Sequence, residues 1–116
     1  MKNYQVLWSD DAEFDLETII TYIMIDSIDT AKKIFYAIKE TCQQLHYFPE
    51  RKRIVPELQQ IGMTHYRECI YQRWRVIFKI QEGTVHVLMV IDSSQNIEDI
   101  LLQRLMLNVG DDLKNV

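Results

Sequence analysis

The chain has 116 residues, of which 47% are hydrophobic and 26% charged. That is the size of one small domain with enough apolar material for a core, and it excludes a disordered segment. The formal net charge is −4, but its spread is uneven: residues 49–81 carry 7 Lys/Arg against 3 Asp/Glu, whereas residues 1–48 carry 4 against 8 and residues 82–116 carry 2 against 6. An acidic chain with a basic centre argues against indiscriminate nucleic-acid binding and leaves room for a specific acidic or phosphate-bearing partner.

Met1–Gln5 has no basic segment leading into an apolar one, and no apolar run approaches the roughly 20 residues of a membrane span. A cytoplasmic chain without membrane contact is expected. Cys42 and Cys69 are the only cysteines and read as two reduced, buried thiols. The three histidines are scattered, so no metal spacing arises, and the three glycines form no phosphate loop. No cofactor is implied.

In chain order, Tyr4–Trp8 alternates and predicts a strand. Ser9 or Asp10 then caps a helix, with Asp10 and Glu13 fitting a capping box. Ala12, Leu16, Ile19, Ile20 and Ile23 form its apolar stripe; Glu13, Asp15 and Glu17 face away from most of it. After a break at Asp26–Asp29, Asp26 or Ser27 caps a second helix that runs to about Tyr47, with Ala31, Ile34, Phe35, Ile38, Cys42 and Leu45 buried. The short link predicts an antiparallel helix hairpin.

Pro49 ends that helix, and Glu50–Thr64 reads as an irregular connector. Three antiparallel strands follow, at Arg67–Tyr71, Arg73–Ile80 and Thr84–Ile91, the last two joined by a turn at Glu82–Gly83. In the middle strand Trp74, Val76, Phe78 and Ile80 share one face, while Arg73, Arg75, Ile77 and Lys79 share the other. The first face is expected to meet the helix hairpin and the second to present three cations. A last helix spans about Ile97 to Leu107, capped by Asp92, Ser93 or Asn96. Ile97, Ile100, Leu101 and Leu105 form its packing stripe, and Arg104 stands near its end. The expected fold is α+β: an N-terminal strand and a two-helix hairpin on a small antiparallel sheet, with a short C-terminal helix. Residues 1–107 form the domain and 108–116 a polar tail.

Several segments, taken in this order, resemble the RelE/ParE family of toxins from bacterial type II toxin–antitoxin modules, most of all its ParE-like branch. SDDAEFDLETIITYI is similar to the family's opening strand and helix. LHYFPE followed by RKRIVPEL resembles its Leu-x-x-x-Pro and its basic residue before Val-Pro-Glu-Leu. HYRECI and RWRVIFKI resemble its Tyr-Arg-Glu and Tyr-Arg-Val-Ile-Tyr strands, with Trp74 and Phe78 where tyrosines are usual. VIDSSQNIEDILLQRL resembles its ending, but Ser94 and Gln95 stand where many relatives have two arginines. The likeness runs over about residues 4–107. The chain's acidity is a second departure, because such toxins tend to be basic.

The resemblance implies three readings. The first is a toxin that acts by binding, the target in ParE-like relatives being DNA gyrase, trapped while it holds broken DNA. The candidate target- or antitoxin-binding residues are Arg53, Arg67, Arg73, Arg75, Lys79 and Arg104, since the planar arginine fork suits carboxylate and phosphate. For Arg75 a purely structural bridge to Glu57 or Asp92 stands beside this. The second reading is a ribosome-dependent endoribonuclease acting on mRNA, which needs a cation cluster and a proton-transfer group. His65 and His86 qualify by residue type alone, so no catalytic residue is assigned and binding ranks first. The third is a non-toxic relative that binds a cognate acidic antitoxin. A homodimer, or a heterotetramer with antitoxin, would cover apolar residues on the helix hairpin.

Overall fold

The computed structural model describes residues 3–100 and 102–104. Strand β1 (Gln5–Trp8) leads into helix α1 (Asp10–Met24), and helix α2 (Ile28–Gln43) returns antiparallel to it. Ser9 caps α1 by accepting from the Ala12 N–H, and Ser27 caps α2 by accepting from the Thr30 N–H. Asp10 is therefore the first helical residue rather than the cap, and Asp10, Asp11 and Glu13 line the first turn, where the helix dipole favours negative charge. Two short 3₁₀ turns, Gln44–His46 and Pro49–Arg51, follow α2.

Strands β2 (Tyr66–Tyr71), β3 (Trp74–Gln81) and β4 (Thr84–Asp92) form an antiparallel meander. β1 adds to β4 in parallel, giving the order β1-β4-β3-β2. The β3–β4 turn lies at Glu82–Gly83 as expected, and both residues have positive φ (51° and 77°), the requirement of a tight hairpin turn. Arg73, expected in the strand, instead sits with Gln72 in the two-residue β2–β3 turn, where Gln72 takes φ 53°. A bulge at Ile77/Phe78 lets β4 switch which residues face each side.

The two faces of the sheet are covered differently. Trp74, Val76 and Phe78 pack with Val85, Val87 and Val90 against Ala12, Leu16, Ile34, Ile38 and Cys42 of the hairpin. Cys42 and Cys69 are free thiols inside this core, and the hydrogen bond with Cys69, together with burial, pushes the Cys42 thiol up. On the other face a second core joins Ile77, Met89 and Ile91 to Val55, Leu58 and Ile97. The connector is thus not irregular. It holds helix α3 (Pro56–Gln59), and its backbone is tied to β2 by Val55 N–H to the Tyr66 carbonyl and Glu68 N–H to the Arg53 carbonyl.

Residues 97–100 and 102–104 are helical, and Asn96 caps them by accepting from the Asp99 N–H. Ile97 is buried and Ile100 partly so. The other stripe positions, Leu101 and Leu105, and the tail at 108–116 lie outside the described residues.

Asp15 departs from expectation. It does not face away from the core but is buried, accepting the Val90 N–H at 3.0 Å and both guanidinium nitrogens of Arg104 at 2.6 and 2.9 Å. A carboxylate can enter the core here because a cation and a backbone donor replace its water. No described helix is long and apolar enough to cross a membrane.

Trp74 is only 8% exposed and stacks on Tyr71 with ring centroids 6.5 Å apart. Trp74→Ala is expected to destabilise the fold by about 3–5 kcal/mol. Denaturant unfolding checks this, and a native midpoint would mean the faces of β3 are reversed.

Candidate functional site

The expected cationic face divides once its partners are known. Glu68 on β2 is 2% exposed, and its two oxygens are taken by two arginines. Oε1 accepts from Arg75 Nε at 2.6 Å, and Oε2 accepts from Arg53 Nε. The rest of the Arg75 fork donates to both oxygens of Glu57 on α3, each at 2.8 Å. Arg75 is consequently buried, at 7% exposure. Of the two bridges open to it, Glu57 is the one formed. Period two put Arg75 on the right face but could not show that α3 would close over it. Its bond to Glu57 holds the Glu57 carboxyl down, from 4.5 to about 2.

The other candidates are held at separate places. Arg67 donates to the Lys52 carbonyl at 2.6 Å. Arg73 pairs with Asp92 at 2.7 Å, with its side chain still 59% exposed. Arg104 grips Asp15 on the far side of the sheet. Lys79 has neither an ion pair nor a hydrogen bond among the described residues. Ser94 and Gln95 lie in the turn after β4, where the Gln95 side chain accepts the Asp92 N–H at 3.1 Å. His65 is exposed, and His86 stands beside Lys79 across the β3–β4 pair. No group of three or more His, Cys, Asp or Glu side chains among the described residues could hold a metal.

A groove of about 620 Å³ opens between α1, the β2–β3 turn and the end of β4. Phe14, Tyr22, Trp74 and Ile91 line it, and Arg73 and Arg104 stand at its polar edge. Phe14 and Tyr22 are 68% and 74% exposed, a wide apolar surface for a small protein. Sequence reading passed over both, because they lie off the apolar stripe of α1 and so gave no sign of packing. It also passed over Glu68, whose signal was a lone acid in β2, between Arg67 and Cys69.

The model for "ParE toxin of type II toxin-antitoxin system, parDE" matches residues 6–97. The chain belongs to the ParE toxin family. It is therefore the toxin component of a type II toxin–antitoxin module. Solved structures that share the fold include two from toxin–antitoxin systems. A chain of the chromosomal ParDE system of P. aeruginosa has a TM-score of 0.62 at 17% identity, covering 77% of this chain and 95% of that one. A chain of the RelBE2 toxin–antitoxin complex of Mycobacterium tuberculosis has a TM-score of 0.58 at 20% identity, covering 82% and 97%. No curated protein matches the sequence.

In this ParE-family chain Arg75 serves the fold. Arg75→Ala would leave Glu68 buried and half-paired, and is expected to cost about 3–5 kcal/mol, while Lys79→Ala should stay within about 0.5 kcal/mol. Denaturant midpoints distinguish the two. The Glu57 carboxyl is depressed in the folded state, so its contribution is present above 4.5 and lost as pH falls through about 2. Glu57→Gln should flatten the stability–pH curve within that window, and an unchanged curve would show that the Glu57–Arg75 contact does not hold in solution.

Proposed function

We propose that this ParE-family toxin arrests growth by binding an essential target, DNA gyrase, and that a cognate acidic antitoxin neutralises it. The observation that carries this reading is the dispersal of its cations. Stabilising a phosphorane needs several free cations around one phosphate. Arg75 and Arg53 are instead spent on Glu68, and Arg104 is spent on Asp15 across the molecule. That favours docking over RNA cleavage.

Arg53, Arg67, Arg73, Lys79 and Arg104 are the proposed contacts to target or antitoxin, with Arg75 holding the scaffold behind them. Arg53 and Arg73 keep side chains 54% and 59% exposed, so each can meet a carboxylate without giving up its present partner. The apolar groove beside Phe14 and Tyr22 suits an antitoxin helix, and the wide patch explains why a homodimer or a heterotetramer with antitoxin would be favoured. The partner is expected to be acidic and to order as it binds.

The test is tightly controlled induction of this chain without its antitoxin. Arrest with filamented cells and induced DNA-damage signalling, relieved by the neighbouring small protein, is expected. Rapid loss of translated messages would replace the reading with ribosome-dependent mRNA cleavage. Normal growth with abundant folded protein would leave a non-toxic antitoxin-binding relative, and restoring arginine at Ser94 and Gln95 would then be the next variant.

A further inference from the structure

Among the described residues, the second face of the sheet is covered for only half its length. Val55, Leu58 and Ile97 close over Ile77, Met89 and Ile91, but the end nearest the Glu82–Gly83 turn lies beyond them. There the strand register sets four side chains in one row. Tyr66 on β2 pairs with Lys79 on β3, Lys79 with His86 on β4, and His86 with Leu7 on β1. Cross-strand partners share a face with their Cβ atoms about 5 Å apart, so the row runs roughly 15 Å across all four strands. Leu7 is 44% exposed. His65 adds a further exposed ring, edge-on to Tyr66 at 6.3 Å between centroids.

The chemistry of the row is specific. It holds one unspent cation, flanked by a phenol and an imidazole, and it is bordered by the neutral hydrogen-bonding side chains of Gln5, Gln81 and Thr84. Helices cover the opposite face, so this is a flat, helix-backed sheet surface with rings on neighbouring strands. Such surfaces bind unpaired nucleic-acid strands by stacking bases on the rings while a cation meets the phosphate. A duplex hides its base faces and would offer this row only phosphates, for which one lysine on an acidic chain is too little.

The geometry points to a binding strip for an unpaired DNA strand, with Lys79 on a phosphate and Tyr66 and His86 against bases. The choice of DNA rests on the gyrase reading, because an enzyme that holds a broken duplex exposes unpaired ends. The strip lies away from the apolar groove, so a toxin can hold its protein target with one surface and the strand with another.

The experiment is fluorescence anisotropy of the full chain with a labelled oligothymidine of about twelve nucleotides, without gyrase. Oligouridine and a duplex of the same length serve as competitors. Saturable binding to the single DNA strand is expected, with a log–log salt slope of about −0.7, the contribution of one phosphate contact on a single strand. Lys79→Gln and His86→Ala should each weaken binding roughly tenfold, since stacking and charge act together here. Lys33→Gln on α2, on the opposite layer, should leave it unchanged. Tyr66 also packs on the second core, so Tyr66→Leu is informative only with a native melting curve, and the Lys79 variant decides the matter without it.

Absence of saturable binding, equal binding to the duplex, tighter binding to oligouridine, or an unaltered Lys79→Gln variant would each overturn the strip. Because gyrase is absent, the two readings fail separately. A chain that poisons gyrase in cells but ignores the oligonucleotide loses the strip alone. A chain that binds the strand but spares gyrase keeps the strip and loses the target.

Discussion

A single buried carboxylate organises the side of this molecule where the connector meets the sheet. Glu68 is buried away from solvent, so its charge must be met by the protein, and Arg75 and Arg53 meet it from two sides. Arg75 then has a guanidinium edge to spare, and Glu57 takes it. The four side chains come from β2, β3, α3 and the segment before α3, so one ionic network fastens the connector to the sheet. The fastening is what brings Val55 and Leu58 over Ile77 and closes the second core. Asp15 repeats the device on the other side of the sheet, pinning the segment that carries Arg104 to α1 and to the β4 backbone. In a domain this small, apolar burial alone leaves little margin, and such pairs choose which loop packs where.

The network also changes what the cations mean. A row of arginines on one strand face looks like a surface offered to a partner. Burial decides otherwise, because an arginine with both faces of its fork answered by carboxylates is part of the scaffold. Among the candidate contacts, what remains outward is sparse: the far ends of Arg53, Arg73 and Arg104, the Arg67 guanidinium, and Lys79. Sparse, separated cations suit docking, where geometry supplies specificity and each contact adds modestly. They do not suit transition-state stabilisation, where several charges must converge.

The fold was largely legible in the sequence. Strand alternation, the serine caps and the Glu82–Gly83 turn are local signals, each set by a few residues whose chemistry allows little else. Apart from the local misplacement of Arg73, which lies in the β2–β3 turn, the main failures were of one kind. Asp15 lies on a helix among acidic neighbours, and nothing local separates it from the solvent-facing Glu13 and Glu17; its partner Arg104 is far along the chain. The connector looked irregular because its order comes from the sheet beneath it and not from its own periodicity. Arg75 was assigned to the correct face, but the cover over that face is a segment whose position only tertiary structure fixes. Likewise the parallel pairing of β1 with β4 has no signature in either strand. The family resemblance, by contrast, drew on the whole order of segments and was confirmed.

The same reasoning explains why the open strip survives beside so closed a face. The bulge at Ile77/Phe78 shifts β4 by one residue relative to β3. On the near side of that shift His86 shares its face with Lys79; beyond it Met89 and Ile91 share theirs with Ile77, under the connector. Without the extra residue, strict alternation would put Leu88 rather than Met89 opposite Ile77. The second core would then have to rebuild around the wrong side chains. The bulge thus lets one strand serve two surfaces in succession, a polar row at the turn and an apolar floor beneath α3. A cation can stay unpaired only at the first of these, and Lys79 is placed there.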